Sequence, residues 1–294
     1  MGANQHSLLL DRGNLKRRNR LNRAVEVAST VAAVLAVAVL AIVVGSVFLK
    51  GVGALSWHFL TTPTALFGES GGGISNAIVG SAVMVAIGAA IAIPVGILVA
   101  IYTSEFASPK VAHAVRFVLD ILNGVPTIIT AIFIYGLIVV PQGHQSGTAA
   151  SIALAIVMLP IVARTGQEVL SLVPVSLKEA AHALGIARWR TTLRITVPTA
   201  AGGLITGSLL GVARIAGETA PMLLLSSIVA QGVLSDPGQP LASIPYFIFQ
   251  ASESPKPQAH TEAWAAALVL IAFVLALNIF ARAFYARSRK RMGA

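Results

Sequence analysis

Two pairs of opposite charge stand inside apolar stretches of this chain: Arg164 and Glu168 in LPIVARTGQEVL, and Arg214 and Glu218 in LLGVARIAGETAPMLLL. In each pair the carboxylate follows four residues after the arginine, so on an α-helix both lie on one face. An arginine at the centre of a bilayer costs roughly 2.5–3.5 kcal/mol on insertion scales, and such groups face a bundle interior or an aqueous path. The planar guanidinium fork gives paired, charge-assisted hydrogen bonds to a tetrahedral oxyanion. A glutamate beside it offsets the charge, so that a passing anion meets weak multi-point binding rather than a trap. The chemistry expected is therefore a charged pathway for an anion. The competing use, in which each arginine is neutralised by its own glutamate and serves packing only, stays open, although an isolated buried pair often fails to offset its desolvation. Asp120, Asn123, Gly124 and Thr127 form a further polar face at helical spacing. They either line the same path or make interhelical hydrogen bonds near a hydrated helix end.

Other chemistries are excluded by residue type. None of the six lysines is followed by Ser or Thr, so the chain has no Gly-Lys-Ser/Thr phosphate cradle and no P-loop ATPase activity of its own. The absence of cysteine removes disulfides, thiolate metal sites and cysteine nucleophiles. His58 has no second ligand at metal spacing, and no Ser/His/Asp set is readable, so neither a metal site nor an enzyme is expected.

The elements that must position these charges are transmembrane helices. Of 294 residues, 56% are hydrophobic and only 11% charged, a composition that belongs to an all-α, polytopic membrane protein. Six spans of about 20 apolar residues or more are expected: Ala24–Leu49, Ile74–Tyr102, Val111–Val140, Ala149–Leu172, Thr199–Val229 and Ala263–Tyr285. The basic excess, Lys+Arg 21 against Asp+Glu 11, sits beside the spans rather than on a nucleic-acid-binding face. Arg12, Lys16, Arg17, Arg18, Arg20 and Arg23 precede the first span, and Arg282, Arg287, Arg289, Lys290 and Arg291 close the chain. Lys110, Arg116, Lys178, Arg188, Arg190 and Arg194 mark two further connections on the same side, leaving Lys50 and Lys256 opposite. Both termini are therefore expected in the cytoplasm. The organisation is a basic tail at 1–23, a six-span domain at 24–285 containing a cytoplasmic loop at 173–198, and a basic tail at 286–294. The first apolar run is too long for a cleavable signal peptide and is expected to remain as an anchor.

Within the spans, Pro94 and Pro160 suggest kinks, and Pro160 shares a face with Arg164. Gly203, Gly207 and Gly211 recur every fourth residue, and Arg214 and Glu218 continue their stripe. A face that packs closely at one end and carries charge at the other fits a subunit interface around a central path. The loop VPVSLKEAAHALGIARWRTTLRITVP is expected to hold a helix over Leu177–Leu184 capped by Ser176, a turn at Gly185 and a second helix over Ala187–Ile195. The apolar stretch Ile244–Phe249, in the last outside loop, shapes the outer mouth, meets a partner, or anchors at the lipid surface.

Glu179, Ala180, Ala181, then Gly185, then Ile195 and Pro198 stand in an order that resembles the EAA loop of the membrane permeases of ABC importers: EAA, three residues, Gly, nine residues, Ile-x-Leu-Pro. Val197 replaces the usual leucine. ARIAGETAPMLLL (213–225) and LNGVPTIITAIFIYG (122–136) are similar to stretches of the A-type permease subunits of phosphate-specific importers. The resemblance implies the six-helix importer fold in the plasma or inner membrane, moving inorganic phosphate inward. Glu179, Ala180, Ala181, Gly185, Arg188 and Pro198 then dock a cytoplasmic ATPase, while Arg164, Glu168, Arg214, Glu218, Asp120 and Asn123 serve the substrate pathway. Implied partners are a second, related permease in a heterodimer, two copies of the ATPase, an external phosphate-binding protein and membrane lipid. No cofactor is expected in this chain, since ATP and magnesium belong to the ATPase. Permeation of another oxyanion, such as sulfate or molybdate, or by an ATPase-independent secondary transporter or channel, would use the same buried charges. The latter would not need the EAA loop.

Overall fold

A computed structural model of the chain describes residues 15–65, 72–227 and 232–291. The expected features at Arg12 and Val229 lie outside the described residues, as do the side chains of Lys16, Arg282, Arg287, Arg289, Lys290 and Arg291. The chain divides into two compact units, Met1–Lys50 and Gly51–Ala294.

The first unit is built on α1 (Leu15–Gly51), 37 residues that are exposed almost throughout. At 1.5 Å per residue it runs about 55 Å, well beyond a hydrocarbon core of about 30 Å. Arg17, Arg18, Arg20 and Arg23 therefore ride on the same helix as the apolar span rather than on a separate tail ending at Arg23.

The second unit holds α2 (Trp57–Thr61), α3 (Ser75–Ile101), α4 (Pro109–Gly124), α5 (Thr127–Ile134), α6 (Val140–Gln142) and α7 (Gly147–Ser171). These are followed by α8 (Val175–Ala183), α9 (Arg188–Thr191), α10 (Val197–Ala216), α11 (Ala220–Leu225), α12 (Ile244–Glu253) and α13 (Pro257–Arg291). Wide π-turns, in which the hydrogen bond reaches back five residues, occupy Tyr102–Phe106, Tyr135–Val139 and Thr192–Thr196. Side-chain caps start several helices: Ser108 accepts from Val111, Ser146 from Ala149 and Ser243 from Tyr246. Among the described residues five helical stretches are long and apolar enough to cross a membrane, or six if the bent pair α4–α5 counts as one span.

α7 is the central post, buried along most of its apolar length, including Leu154, Met158, Val162 and Leu170. On one side it packs along α3, where a Cβ on Gly96 would lie 2.9 Å from Val162 and one on Gly166 would lie 2.7 Å from Ala100. On the other it meets the glycine stripe of α10. A Cβ on Gly203 would stand 2.4 Å from Val169, on Gly207 2.5 Å from Thr165, and on Gly211 3.1 Å from Met158. In lipid there is no hydrophobic drive between helices, so close backbone approach and dispersion hold them together. The stripe is thus consumed by packing within the chain and does not form the subunit interface expected for it.

Three further expectations change. The third span is broken: α4 and α5 meet at 93°. Val125, held extended (φ −69°, ψ 127°) by the following proline, ends α4, and Pro126 starts α5. The fifth span is interrupted after α10 at Gly217–Thr219, and only then resumes as α11 with Pro221 in its first turn. The coupling loop, by contrast, ends earlier than expected. Helix runs without a break from Arg188 to Ala216 through Pro198, because the π-turn at Thr192–Thr196 carries the Val197 N–H to Thr192 O, easing the turn where proline lacks a donor. Pro94 and Pro160 likewise lie inside continuous helices.

The stretch Ile244–Phe249 belongs to α12, and its Ile244, Pro245 and Phe247 are buried while Phe249 stays exposed. Ile244, Phe247 and Ala251 pack with Phe59, Ile74 and Ala265. Ser81 Oγ accepts from the Ile244 N–H at 2.9 Å, while Pro237 O accepts from Thr148 N at 2.7 Å, pinning the segment before α12 to the starts of α3 and α7.

Candidate functional site

The knee between α4 and α5 faces α7 and the end of α10, and Arg214 reaches it there. A cavity of about 50 Å³ is lined by Asn123 and Val125 on one side of the break, Thr127 and Thr130 on the other, Ile161 of α7, and Arg214 of α10. Thr127 lies beyond the bend, so Asp120, Asn123 and Thr127 do not form one helical face. It is the bend that brings Asn123 and Thr127 to a common cavity.

Arg214 Nη2 stands 3.1 Å from Glu218 Oε1. This is the pair expected from sequence spacing, made in another way. Glu218 sits past the helix end, in the Gly217–Thr219 break, and its side chain is only 8% exposed, against 59% for Arg214. Glu218 Oε1 makes no hydrogen bond among the described residues, so the ion contact at 3.1 Å is its compensation. A small void beside it is walled by Met84, Leu154 and Met222.

Arg164 does not pair with Glu168. Its Nε lies 3.2 Å from Asp120 Oδ1 on α4, with side chains 36% and 54% exposed. Glu168, one turn further along α7, is exposed and takes part in no ion pair among the described residues. The sequence pattern offered Arg164 a carboxylate on its own helix, but α4 crosses α7 closely enough to supply a nearer one. Asp120 is one turn before Asn123, and Arg164 one turn after Ile161, so this second pair lies one helical turn from two residues that line the cavity, while Arg214 lines it directly. One arginine is thus held by a cross-helix carboxylate, the other by a buried one, and Arg214 stays more than half exposed. Such a site presents guanidinium donors, two threonine hydroxyls and an asparagine amide to an oxyanion.

At the Arg188 end of the unit, Gly185 takes φ +73° and turns the chain between α8 and α9, as its position in the motif predicted. Pro174, not Ser176, occupies the N-cap of α8. Glu179, Ala180, Gly185, Arg188 and Pro198 are exposed, as are the apolar Val175, Leu184 and Trp189. Ala181 is buried, and its carbonyl accepts from Ile186 N at 3.1 Å, so it fastens the turn instead of presenting a surface.

Sequence reasoning missed Glu105. It lies in the π-turn that ends α3, is buried, and takes Lys178 Nζ of α8 on Oε1 at 2.5 Å. Beside it Gln167 Nε2 donates to Thr103 Oγ1 at 2.8 Å, and the Arg188 guanidinium covers the Phe106 ring at 5.6 Å. A lone carboxylate at the expected end of the second span was the available signal.

Fold and site together define a class: a multi-pass helical transport protein whose central helices carry arginine–carboxylate pairs and whose connecting segment exposes a short helical turn. The chain belongs to the family of binding-protein-dependent transport system inner membrane components, whose family model matches residues 92–294. It is 39% identical over 241 residues to the phosphate transport system permease protein PstA of Yersinia pestis, covering 82% of this chain and 81% of that one. It is 37% identical over 278 residues to PstA of Xylella fastidiosa (strain Temecula1), covering 93% and 96%. A solved bacterial ABC transporter involved in import of the acidic polysaccharide alginate shares the fold at TM-score 0.62 and 15% identity, over 91% of this chain and 99% of that chain. The inward-facing MetNI methionine transporter does so at TM-score 0.57 and 19% identity, over 72% and 92%. This is a multi-pass inner-membrane permease.

Proposed function

We propose that this chain is the membrane-spanning subunit of an ATP-driven importer that carries inorganic phosphate into the cytoplasm, with both termini on the cytoplasmic side. The observation that carries the reading is the likeness to PstA permeases over four-fifths or more of both chains, 39% identical in one case and 37% in another. The arginine-lined cavity at the α4–α5 knee suits the same solute. Arg214 and Arg164 serve the anion route; Glu218 and Asp120 temper their charge, and Asn123 adds an amide beside them. Glu168, exposed one turn from Arg164, lies further along the route rather than in the ion pair. The route is completed by a second, related permease subunit facing this one.

Energy comes from two copies of a cytoplasmic ATPase that hold ATP and magnesium, since this chain has no phosphate cradle. They dock on Glu179, Ala180, Gly185 and Arg188, with Leu184 and Trp189 supplying exposed apolar surface between. An external phosphate-binding protein delivers the solute to the opposite face. The test is reconstitution of this chain with a second permease, the ATPase and the binding protein, followed by radiolabelled phosphate uptake. ATP-dependent uptake that tenfold sulfate or molybdate fails to displace is expected. Uptake without ATP, or displacement by either competitor, rejects the reading.

A further inference from the structure

The docking segment is joined to the rest of the chain through the backbone of α7 on one side and of α9–α10 on the other, but the structure shows a further attachment. Glu105 is 7% exposed at its side chain, and Lys178 of α8, at 22%, is the cation placed on it. Arg188, on the far side of the Gly185 turn, covers the neighbouring Phe106. Both short helices of the docking segment are therefore fastened to one π-turn, Tyr102–Phe106. A buried carboxylate holds its partner strongly, because withdrawal of the lysine would leave an uncompensated charge away from water.

What lies beyond that turn gives the attachment its use. Glu105 is followed within a few residues by α4, whose N-terminus is capped by Ser108 Oγ accepting from Val111 N. α4 is 16 residues long, about 24 Å, and near its other end Asp120 holds Arg164. A displacement of α8 thus has a route along α4 to Asp120, beside the backbone connections through α7 and α10. We propose that Glu105 and Lys178 are positioning residues: they clasp the docking segment to the α3–α4 corner throughout the transport cycle, so that movement of α8 is passed along α4 to the Asp120–Arg164 pair. The proposal rests on the reading of α8–α9 as the ATPase dock.

The test uses the reconstituted complex and reads phosphate imported per ATP hydrolysed. Glu105→Gln keeps assembly and basal ATP hydrolysis and lowers that ratio at least fivefold. Lys178→Glu lowers it similarly, and the exchanged pair E105K/K178E returns it to within twofold of wild type. Because the chain has no cysteine, E105C/K178C can be bridged by a short bis-thiosulfonate reagent and released with reductant. The bridged complex is expected to import within twofold of wild type per ATP, and release to lower the ratio fivefold. An unaltered ratio in E105Q, or a bridged complex that binds ATPase but does not import, overturns the clasp. A wild-type complex that assembles without importing phosphate overturns the transport reading instead, a separate result.

Discussion

Replacing Arg214 by alanine separates a transport role from a packing role, because the two members of its ion pair are buried so unequally. The charges are 3.1 Å apart, with Glu218 8% and Arg214 59% exposed. At an effective dielectric constant near 20 their gross attraction is roughly 5 kcal/mol. Water at the exposed guanidinium screens much of this, and polar pairs within membrane proteins couple by about 0.6 kcal/mol on average, up to about 1.7. Arg214→Ala also strands a buried carboxylate, so a loss of about 1–2 kcal/mol in stability is expected. Glu218→Gln leaves only an exposed arginine without its counter-charge and should cost less than about 1 kcal/mol. The double variant R214A/E218Q, with neither charge, should regain at least half of the stability lost in R214A. Phosphate uptake follows a different order. An arginine on the anion route is needed whatever becomes of its partner, so R214A and R214A/E218Q should both import at least tenfold more slowly, equivalent to about 1.4 kcal/mol in the transport barrier. Thermal unfolding of the purified complex and initial rates of labelled phosphate uptake in proteoliposomes give the two readouts. If the double variant regains uptake along with stability, Arg214 serves only as a counter-ion and the pathway assignment fails.

The cross-helix pair is the milder case: Asp120→Asn should cost less than about 1 kcal/mol in thermal stability, since both partners are a third or more exposed, yet lower uptake severalfold. Glu168→Gln, which touches no ion pair among the described residues, should leave stability within about 0.5 kcal/mol of wild type by the same thermal assay. Gly207→Val drives a side chain into Thr165 and should destabilise by about 1–3 kcal/mol or lower the yield of folded protein on size exclusion. Gly124→Ala, with nothing within 4 Å of its Cβ, should be neutral in the same measurement. Gly185→Ala places a Cβ on a residue at φ +73° and should cost about 1–2 kcal/mol locally, read as weaker co-purification of the ATPase.

Much of this protein is written locally. Apolar runs of membrane-crossing length, serines placed before Val111 and Ala149 as caps, a glycine where the chain turns between α8 and α9, and arginines inside apolar segments are properties of short stretches, and a chain in lipid has few ways to satisfy them other than helix. Sequence could therefore bring out the helices, the charged residues and the turn at Gly185. It could not say which carboxylate answers Arg164, since Glu168 is in reach along the helix and Asp120 only across a packing contact. Nor could it say that Gly203, Gly207 and Gly211 face α7 of the same chain, because a small-residue stripe is equally complementary to any helix that comes close. The 93° knee at Val125–Pro126 and the burial of Glu105 under Lys178 follow the same rule. A proline licenses a break without setting its angle, and a charge acquires its partner only when distant segments are brought within a few ångströms. Identity and period along the chain determined what each helix carries; only the approach of one helix to another decided what each charge holds.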